Sequence, residues 1–153
     1  MTTAQSLFIE QNANGYRYSV EPFLLADFIE PLRGDRILDV GTGCGVIPLL
    51  LTRRHADLEI LGIEIQPSLF KKAFYNVSRN GWENRIALLE GDFLELARDL
   101  KAGDWDYIIS NPPYRKKNSG RVNPCKEKAL ARHELALTLS CGWRTRERKS
   151  AAS

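Results

Sequence analysis

Short apolar runs alternate with segments of helical spacing along the middle of the chain, and this alternation constrains the fold more than any other feature. Buried strands are predicted over four runs: Arg36–Val40, Leu58–Glu64, Arg85–Glu90 and Trp105–Ile109. Helices are predicted over four segments: Pro22–Leu32, Val46–Arg54, Pro67–Asn80 and Phe93–Leu100. The third helix should bury the face that carries Leu69, Phe70, Ala73, Phe74 and Val77. Strand–helix units of this length favour an α/β fold with a mostly parallel sheet flanked by helices on both faces, because crossovers between parallel strands are right-handed.

The composition narrows the class of protein. A chain of 153 residues is long enough for one domain with its own core. It has no apolar run near the roughly 20 residues that cross a bilayer, and its first residues lack the pattern of a signal peptide. Cys44, Cys125 and Cys141 are far apart and form no CxxC pair, which disfavours a zinc site or a disulfide framework. We therefore expect a cytoplasmic protein with no membrane segment and no metal.

The fourth predicted strand ends abruptly at Asn111-Pro112-Pro113-Tyr114. Proline has no backbone N–H, so the strand cannot continue its hydrogen-bonded ladder. The carboxyl edge of such a sheet is where open α/β folds bind their ligands. An amide, a rigid turn with exposed carbonyl groups and a flat aromatic ring at this edge indicate a site for a planar, amino-bearing group.

A glycine-rich loop, Asp39-Val40-Gly41-Thr42-Gly43-Cys44-Gly45, joins the first strand to the next helix. Glycines allow a tight turn and a close approach of the backbone to a ligand. The loop lacks the third glycine of the dinucleotide motif, where Val46 stands, and the lysine of a phosphate-binding loop. A carboxylate beside a helix N-terminus suits a cation or an amine, and S-adenosylmethionine carries both. A glycine turn with no ligand stays open as the alternative for the loop alone.

Two further acidic residues follow the next two predicted strands. Glu64 ends the second strand, where a carboxylate can accept both hydroxyls of a ribose. Asp92 follows the third strand, where it can accept from an adenine amino group while Phe93 or Ile65 covers the ring. Each acid alone is more often a cap or a surface residue. Together with Asp39 they lie at three successive strand ends, which converge on one edge of the sheet.

These motifs resemble those of class I S-adenosylmethionine-dependent methyltransferases with the NPPY signature, which methylate amino groups of adenine, cytosine or glutamine. Residues 15–19, 111–124 and 131–134 are similar to one subgroup, the bacterial tRNA adenine-N6 methyltransferases that modify valine tRNA beside the anticodon. The resemblance implies a Rossmann-like methyltransferase fold and S-adenosyl-L-methionine as the cofactor. It implies cofactor contacts from Tyr18, Asp39, Gly41, Thr42, Gly43, Gly45, Glu64, Ile65, Asp92, Phe93 and Asn111.

The resemblance also implies a mechanism, with Asn111, Pro112, Pro113 and Tyr114 as the catalytic residues. The Asn111 side-chain oxygen and the Pro112 carbonyl would each accept one hydrogen of the adenine N6 amino group. These bonds pull the nitrogen toward tetrahedral geometry and stabilise its developing positive charge. Tyr114 would stack on the base, and a paired base would have to flip out to reach it. Structural roles are expected for Cys44 and His133.

Positive charge is concentrated immediately after Tyr114. Segment 115–133 has seven basic residues and one acidic residue, although the whole chain has a net charge of only +3. Such clustering favours a polyanionic partner, with a solvated loop and helix as the alternative. Nucleic-acid contacts are expected from Arg115, Lys116, Lys117 and Arg121. The expected function is methylation of adenine N6 in RNA, with tRNA as the substrate; DNA adenine and a protein glutamine amide stay open.

Methyltransferases of this class have seven strands, and the sequence indicates none after the fourth. A loop is predicted over 115–125 and a helix over Lys126–Leu139, whereas 140–153 lacks periodicity and is expected to be a disordered basic tail. We therefore expect a methyltransferase domain over 1–139 that is truncated at its C-terminus, with its last strands missing. The fourth strand should then have an unpaired edge. An inactive remnant that binds the cofactor is a further alternative.

Overall fold

The computed structural model describes residues 6–10, 20–100, 102–111 and 143–144. The helices are α1 (Glu21–Phe28), α2 (Val46–Arg54), α3 (Pro67–Asn80) and α4 (Phe93–Leu96). The strands are β1 (Arg36–Val40), β2 (Glu59–Glu64), β3 (Ile86–Glu90), β4 (Tyr107–Ser110) and β5 (Trp143–Arg144). They form one sheet in the order β3-β2-β1-β4-β5, in which β1 to β4 are parallel. The predicted α/β architecture, a mostly parallel sheet flanked by helices, is confirmed.

Most predicted elements are found, with differences at their ends. β1, α2 and α3 have the predicted bounds. α1 ends at Phe28 instead of Leu32, and Ile29 is already extended. Pro31 accounts for this early end, because the residue before a proline is sterically disfavoured in the helical conformation. α4 is a single turn, since the chain after it continues in tight turns instead of a helix.

Trp143 and Arg144 differ from the expectation for the C-terminal segment. The sequence predicts no ordered structure over 140–153, yet these two residues pair antiparallel with β4 at Ile108 and Tyr107. The unpaired N–H and C=O groups along a strand edge are a template for such pairing, and tryptophan favours strands. The expectation of an unpaired β4 edge is therefore wrong at these two positions.

The two faces of the sheet are covered unequally by the described residues. α1, α2, α3 and residues 6–10 pack on one face, around Ile37, Ile60 and Ile109. The other face carries a smaller cluster around Leu38, Val40, Ile63 and Trp105, against which Phe93 and Leu96 of α4 pack. The two layers hold the carboxyl ends of the four parallel strands in one row.

Candidate active site

The register of the parallel strands brings the predicted site residues that the structure describes to one edge. Val40 at the end of β1 pairs with Ile63 of β2 on one side and with Ser110 of β4 on the other. Asp39 and Asn111 therefore lie at adjacent strand ends, and the end of β2 lies on the opposite side of β1. This is the convergence that the sequence predicts.

The glycine loop between β1 and α2 is bonded to the end of β2. The backbone N–H groups of Gly41 and Thr42 donate to the Ile63 carbonyl at 2.8 and 3.0 Å. The N–H of Gly43 donates to Oε2 of Glu64 at 2.8 Å. Gly43 has a φ of +61°, a left-handed conformation that glycine adopts without steric cost. The shape of the loop is therefore set by β2 as well as by its own glycines.

Glu64 is buried, and its carboxylate has two backbone partners. Oε2 accepts from Gly43, and Oε1 accepts from the N–H of Gln66 at 2.8 Å. A carboxylate can accept about four hydrogen bonds, so this backbone bonding is compatible with ribose binding. Glu64 lies where the sequence predicts it, and it also has a structural role that the sequence does not predict.

Asp39 is the least satisfied charged group at this edge. Its exposed fraction is 1%, and neither carboxylate oxygen accepts a hydrogen bond within the described part of the chain. Burial raises the pKa of Asp39 from 3.8 to about 7, while the nearby Thr42 hydroxyl lowers the pKa and the charge of Glu64 raises it. A buried carboxylate without a partner is costly when ionised, and an opposite charge next to it removes that cost. The site therefore has an acceptor suited to a cation.

Asp92 follows β3 and is the N-cap of α4. Its Oδ1 accepts from the N–H of Leu94 at 2.8 Å, and the residue is half-buried. Phe93 packs against the smaller core cluster, and Ile65 is half-buried immediately after β2. These residues lie at the ends of β2 and β3, where the sequence predicts an adenine site.

Asn111 begins the segment that leaves β4. The hydroxyl of Ser110 donates to the Val40 carbonyl at 2.9 Å in the interior, which fixes the end of β4 beside β1. Asn111 follows directly and is half-buried. The other predicted site residues lie outside the described residues: Tyr18, Pro112, Pro113, Tyr114, Arg115, Lys116, Lys117 and Arg121. The predicted loop over 115–125 and the predicted helix over Lys126–Leu139 also lie outside them.

The sequence does not predict two polar residues that the structure brings to this edge. Gln66 is buried before α3, and its side-chain oxygen has no partner among the described residues. Asn76 of α3 is completely buried and donates to the Cys44 carbonyl of the glycine loop at 2.9 Å. The sequence indicates the position of Gln66 only weakly, as a polar residue directly before the proline that begins α3. Helical periodicity contains no signal for Asn76, because a polar residue in a helix is ordinarily expected to face solvent.

The described residues give little support to nucleophilic catalysis by cysteine or to a metal site. Burial raises the pKa of the Cys44 thiol to about 11, so this cysteine is a poor nucleophile. No group of three or more His, Cys, Asp or Glu side chains in residues 6–10, 20–100 and 102–111 could hold a metal ion. In the same part of the chain, every helix is too short or too polar to cross a membrane.

The chain matches the methyltransferase small domain over residues 21–133. It is 32% identical over 128 residues to a tRNA1(Val) (adenine(37)-N6)-methyltransferase of Glaesserella parasuis serovar 5, an alignment that covers 84% of this chain and 52% of that protein. It is 33% identical over 133 residues to the protein of the same name from Tolumonas auensis, with 86% and 53% covered. The chain thus spans about half the length of the curated relatives it matches.

A solved structure agrees with the fold. The precorrin-6Y C5,15-methyltransferase of Geobacter metallireducens superposes with a TM-score of 0.57 at 14% identity, over 67% of this chain and 53% of that one. This likeness shows the Rossmann-like methyltransferase fold and nothing about the substrate. The family match includes the glycine loop and the ends of all four parallel strands. The chain therefore belongs to the methyltransferase small domain family.

Proposed function

We propose that this chain transfers a methyl group from S-adenosylmethionine to the N6 amino group of adenine in tRNA. The observation that carries the proposal is Asp39, a buried carboxylate beside a glycine loop, which has the Thr42 hydroxyl nearby but no cationic partner among the described residues. It lies near the end of β1, between β2, which ends at Glu64, and β4, which Asn111 follows. The family of the chain and the names of two of its relatives support the same chemistry.

S-adenosylmethionine fits the polar groups at this edge. Asp39 would hold the positively charged end of the cofactor, Glu64 the ribose hydroxyls and Asp92 the adenine amino group. Ile65 and Phe93 would line the adenine ring. The bound cofactor would supply an electrophilic methyl group and leave as S-adenosylhomocysteine, and the methylated nitrogen would release one of its two protons to solvent. The glycines at the start of α2 allow the backbone to approach the ligand closely, because they have no Cβ.

Asn111 begins the acceptor side of the proposed site. Its side-chain oxygen and the Pro112 carbonyl each accept one hydrogen of the N6 amino group. The nitrogen lone pair is then less delocalised into the ring, and the positive charge that develops on the nitrogen is stabilised. Tyr114 stacks on the base, which contributes about 1–3 kcal/mol. Positioning of the two reacting atoms supplies most of the acceleration.

The substrate class rests on charge and on the relatives. Segment 115–133 carries seven basic residues, among them Arg115, Lys116, Lys117 and Arg121, which we assign to phosphate contacts. Binding to tRNA should therefore weaken steeply as salt is added, because counterions compete for the phosphates. Salt-independent binding would contradict a nucleic-acid substrate. The cytoplasm is the compartment that fits both tRNA and cysteines without a CxxC pair.

Methyl-labelled S-adenosylmethionine tests the proposal directly. The chain is incubated with separate pools of unmodified tRNA, DNA and protein, and the label is located after digestion. We expect label in tRNA as N6-methyladenosine. Asn111→Ala should abolish transfer but spare most of the cofactor binding, because the other expected cofactor contacts stay in place, whereas Asp39→Asn should weaken both. Label in DNA or on a protein glutamine would show that the substrate is DNA or protein instead of tRNA. If the chain binds the cofactor but transfers label to none of the three pools, it is a cofactor-binding domain without methyltransferase activity.

A further inference from the structure

Two buried asparagines of α3 hold residues 6–10 as a neighbouring strand would. Oδ1 of Asn80 accepts from the N–H of Phe8 at 3.0 Å, and its Nδ2 donates to the Phe8 carbonyl at 2.8 Å. Asn76 forms the same pair of bonds with Glu10, at 2.8 and 3.0 Å. We call these two side chains and the backbone groups that they bind the amide ladder.

The ladder follows from the geometry of helices and extended chains. Four residues of a helix rise about 6 Å, and two residues of an extended chain advance about 6.6 Å. One amide per helical turn therefore meets every second residue of the segment. Asn76 and Asn80 have exposed fractions of 0% and 8%. Opening the ladder without solvating these amides leaves buried polar groups unpaired, which is unfavourable.

Side chains around the ladder hold the same segment. Nζ of Lys72 lies 2.7 Å from Oε1 of Glu10. The ring of Phe8 meets the ring of Tyr75 edge to face at 5.8 Å, and the Arg79 guanidinium lies 5.2 Å from the centre of the Phe8 ring. The segment is therefore docked on α3 through both its backbone and its side chains.

Asn76 also contacts the glycine loop, and Asn80 does not. Nδ2 of Asn76 donates to the Cys44 carbonyl at 2.9 Å, whereas Nδ2 of Asn80 donates to the Asn76 carbonyl within α3 at 2.7 Å. The loop that contains Cys44 is held on its other side by the bond from Gly43 to Glu64. One buried amide thus joins the N-terminal segment to the loop at the proposed cofactor site.

We propose that Asn76 is a positioning residue that couples docking of residues 6–10 to the shape of the glycine loop. The docked segment fixes the orientation of the Asn76 amide, and this orientation supplies the bond to Cys44. When the segment leaves, the amide loses its bonds to Glu10 and no longer holds the loop. The coupling is reciprocal, so a ligand that needs the ordered loop also favours the docked segment. Only this last statement rests on the proposed function.

Variants that loosen the segment and leave the bond from Asn76 to the Cys44 carbonyl intact test the coupling. Asn80→Ala combined with Lys72→Met removes contacts to residues 6–10 and leaves Asn76 intact. Because the charge of Lys72 also acts on Cys44, Asn80→Ala alone is compared with the double variant. Lys71→Met is the matched control, because Lys71 is an exposed lysine of the same helix. Lys72→Met alone provides the same test with a smaller effect if the double variant does not fold.

Amide hydrogen exchange, measured residue by residue by NMR on the ligand-free chain, is the readout. The double variant should exchange the N–H groups of Phe8 and Glu10 about tenfold faster, because their docking is weakened. The N–H groups of Gly43 and Gly45 in the glycine loop should also exchange faster in the double variant. Faster exchange at Phe8 and Glu10 with no change in the glycine loop would overturn the proposal.

S-adenosylhomocysteine, the product form of the cofactor, provides a second test. It should slow amide exchange at Phe8 and Glu10 in the wild type, although its proposed site is at the glycine loop and not at residues 6–10. Asn76→Ala should weaken its binding about tenfold and Asn80→Ala about threefold, since only Asn76 contacts the loop. Unchanged affinity in Asn80→Ala would show that docking of residues 6–10 does not reach the loop, and equal losses in the two variants would show that the bond from Asn76 to the loop has no role of its own; either result would overturn the proposal. If the wild type does not bind this ligand, the proposed function fails, while the ligand-free exchange still decides the coupling.

Discussion

The carboxyl ends of β1 and β2 are neighbours in the sheet, and each carries a buried carboxylate, yet the two carboxylates are supported differently. Glu64 on β2 accepts backbone N–H bonds from Gly43 and Gln66. Asp39 on β1 accepts none within the described residues. Their exposed fractions are both small, 4% and 1%. The difference therefore lies in hydrogen bonding and not in access to solvent.

Because of this difference, the carboxylate of Glu64 stabilises the fold, whereas the carboxylate of Asp39 does not. The bonds to Glu64 orient the glycine loop, so this residue contributes to stability whether or not a ligand binds. The charge of Asp39 is a cost to the folded protein, and under the proposed function a bound cationic ligand would offset it. Variants of the two residues should therefore separate stability from binding.

Glu64→Ala is expected to have the largest effect. Two hydrogen bonds from backbone N–H groups to a charged acceptor are lost, each worth about 1.5–3 kcal/mol. The free energy of unfolding, measured by urea denaturation, should fall by about 3–6 kcal/mol. Glu90→Ala, at the exposed end of the neighbouring β3, is the matched control and should change the free energy by less than about 0.5 kcal/mol. Equal changes in the free energy of unfolding of the two variants would mean that the hydrogen bonds to Glu64 contribute nothing measurable to stability.

The pH dependence of unfolding isolates the cost of Asp39. The pKa of Asp39 is about 7 in the folded chain against an ordinary 3.8. Between these values the folded state retains a proton that the unfolded state has released. The contribution of Asp39 to stability is therefore fully present below pH 3.8, and it is lost as the pH rises through about 7. The whole change is on the order of 4 kcal/mol.

The measurement compares urea denaturation of the wild type and Asp39→Asn at pH 5 and pH 8. The variant lacks the titrating group, so the difference between the two proteins removes every other group from the comparison. The variant should be more stable relative to the wild type at pH 8 than at pH 5. A difference that does not change with pH would contradict the pKa and the cost that follows from it.

Asp39→Asn should show the opposite behaviour in binding. A neutral amide replaces the partner of the ligand's positive charge, and loss of one member of a buried charge pair costs about 2–5 kcal/mol. Calorimetry at pH 8 should therefore find S-adenosylmethionine bound about 100-fold more weakly. Any pH dependence that the variant retains belongs to the ligand's own amino group. Unchanged affinity would exclude Asp39 as the cation partner.

The sequence predicts the elements better than the polar contacts between them. β1, α2 and α3 have the predicted bounds because glycine or proline stands next to at least one end of each, as at Gly41, Gly45, Pro67 and Gly81. The burial of Asn76 is not predicted, because its partner Glu10 is 66 positions away in the chain. Phe74, predicted on the buried face of α3, is 58% exposed, since the buried face of the helix includes its two asparagines.

The same limit applies to the site. An acidic residue that follows an apolar run is a local pattern, so the strand-end positions of Asp39 and Glu64 can be predicted. Whether a neighbouring backbone N–H reaches each carboxylate depends on how the glycine loop lies against β2, which involves residues about twenty positions apart. The sequence therefore predicts two similar acids, and the structure shows that they are different.

Asp92→Asn extends the comparison to the end of β3 and should have the smallest effect. Asp92 is half-buried and accepts one N–H, from Leu94, as the cap of α4. Asparagine caps helices about as well as aspartate, so the free energy of unfolding should change by less than about 0.5 kcal/mol. A neutral acceptor facing the adenine amino group should weaken S-adenosylhomocysteine about fivefold, or about 1 kcal/mol. An analogue without that amino group should bind the wild type and the variant equally. If the variant binds both ligands as the wild type does, Asp92 is a helix cap alone, and the edge has two functional carboxylates instead of three.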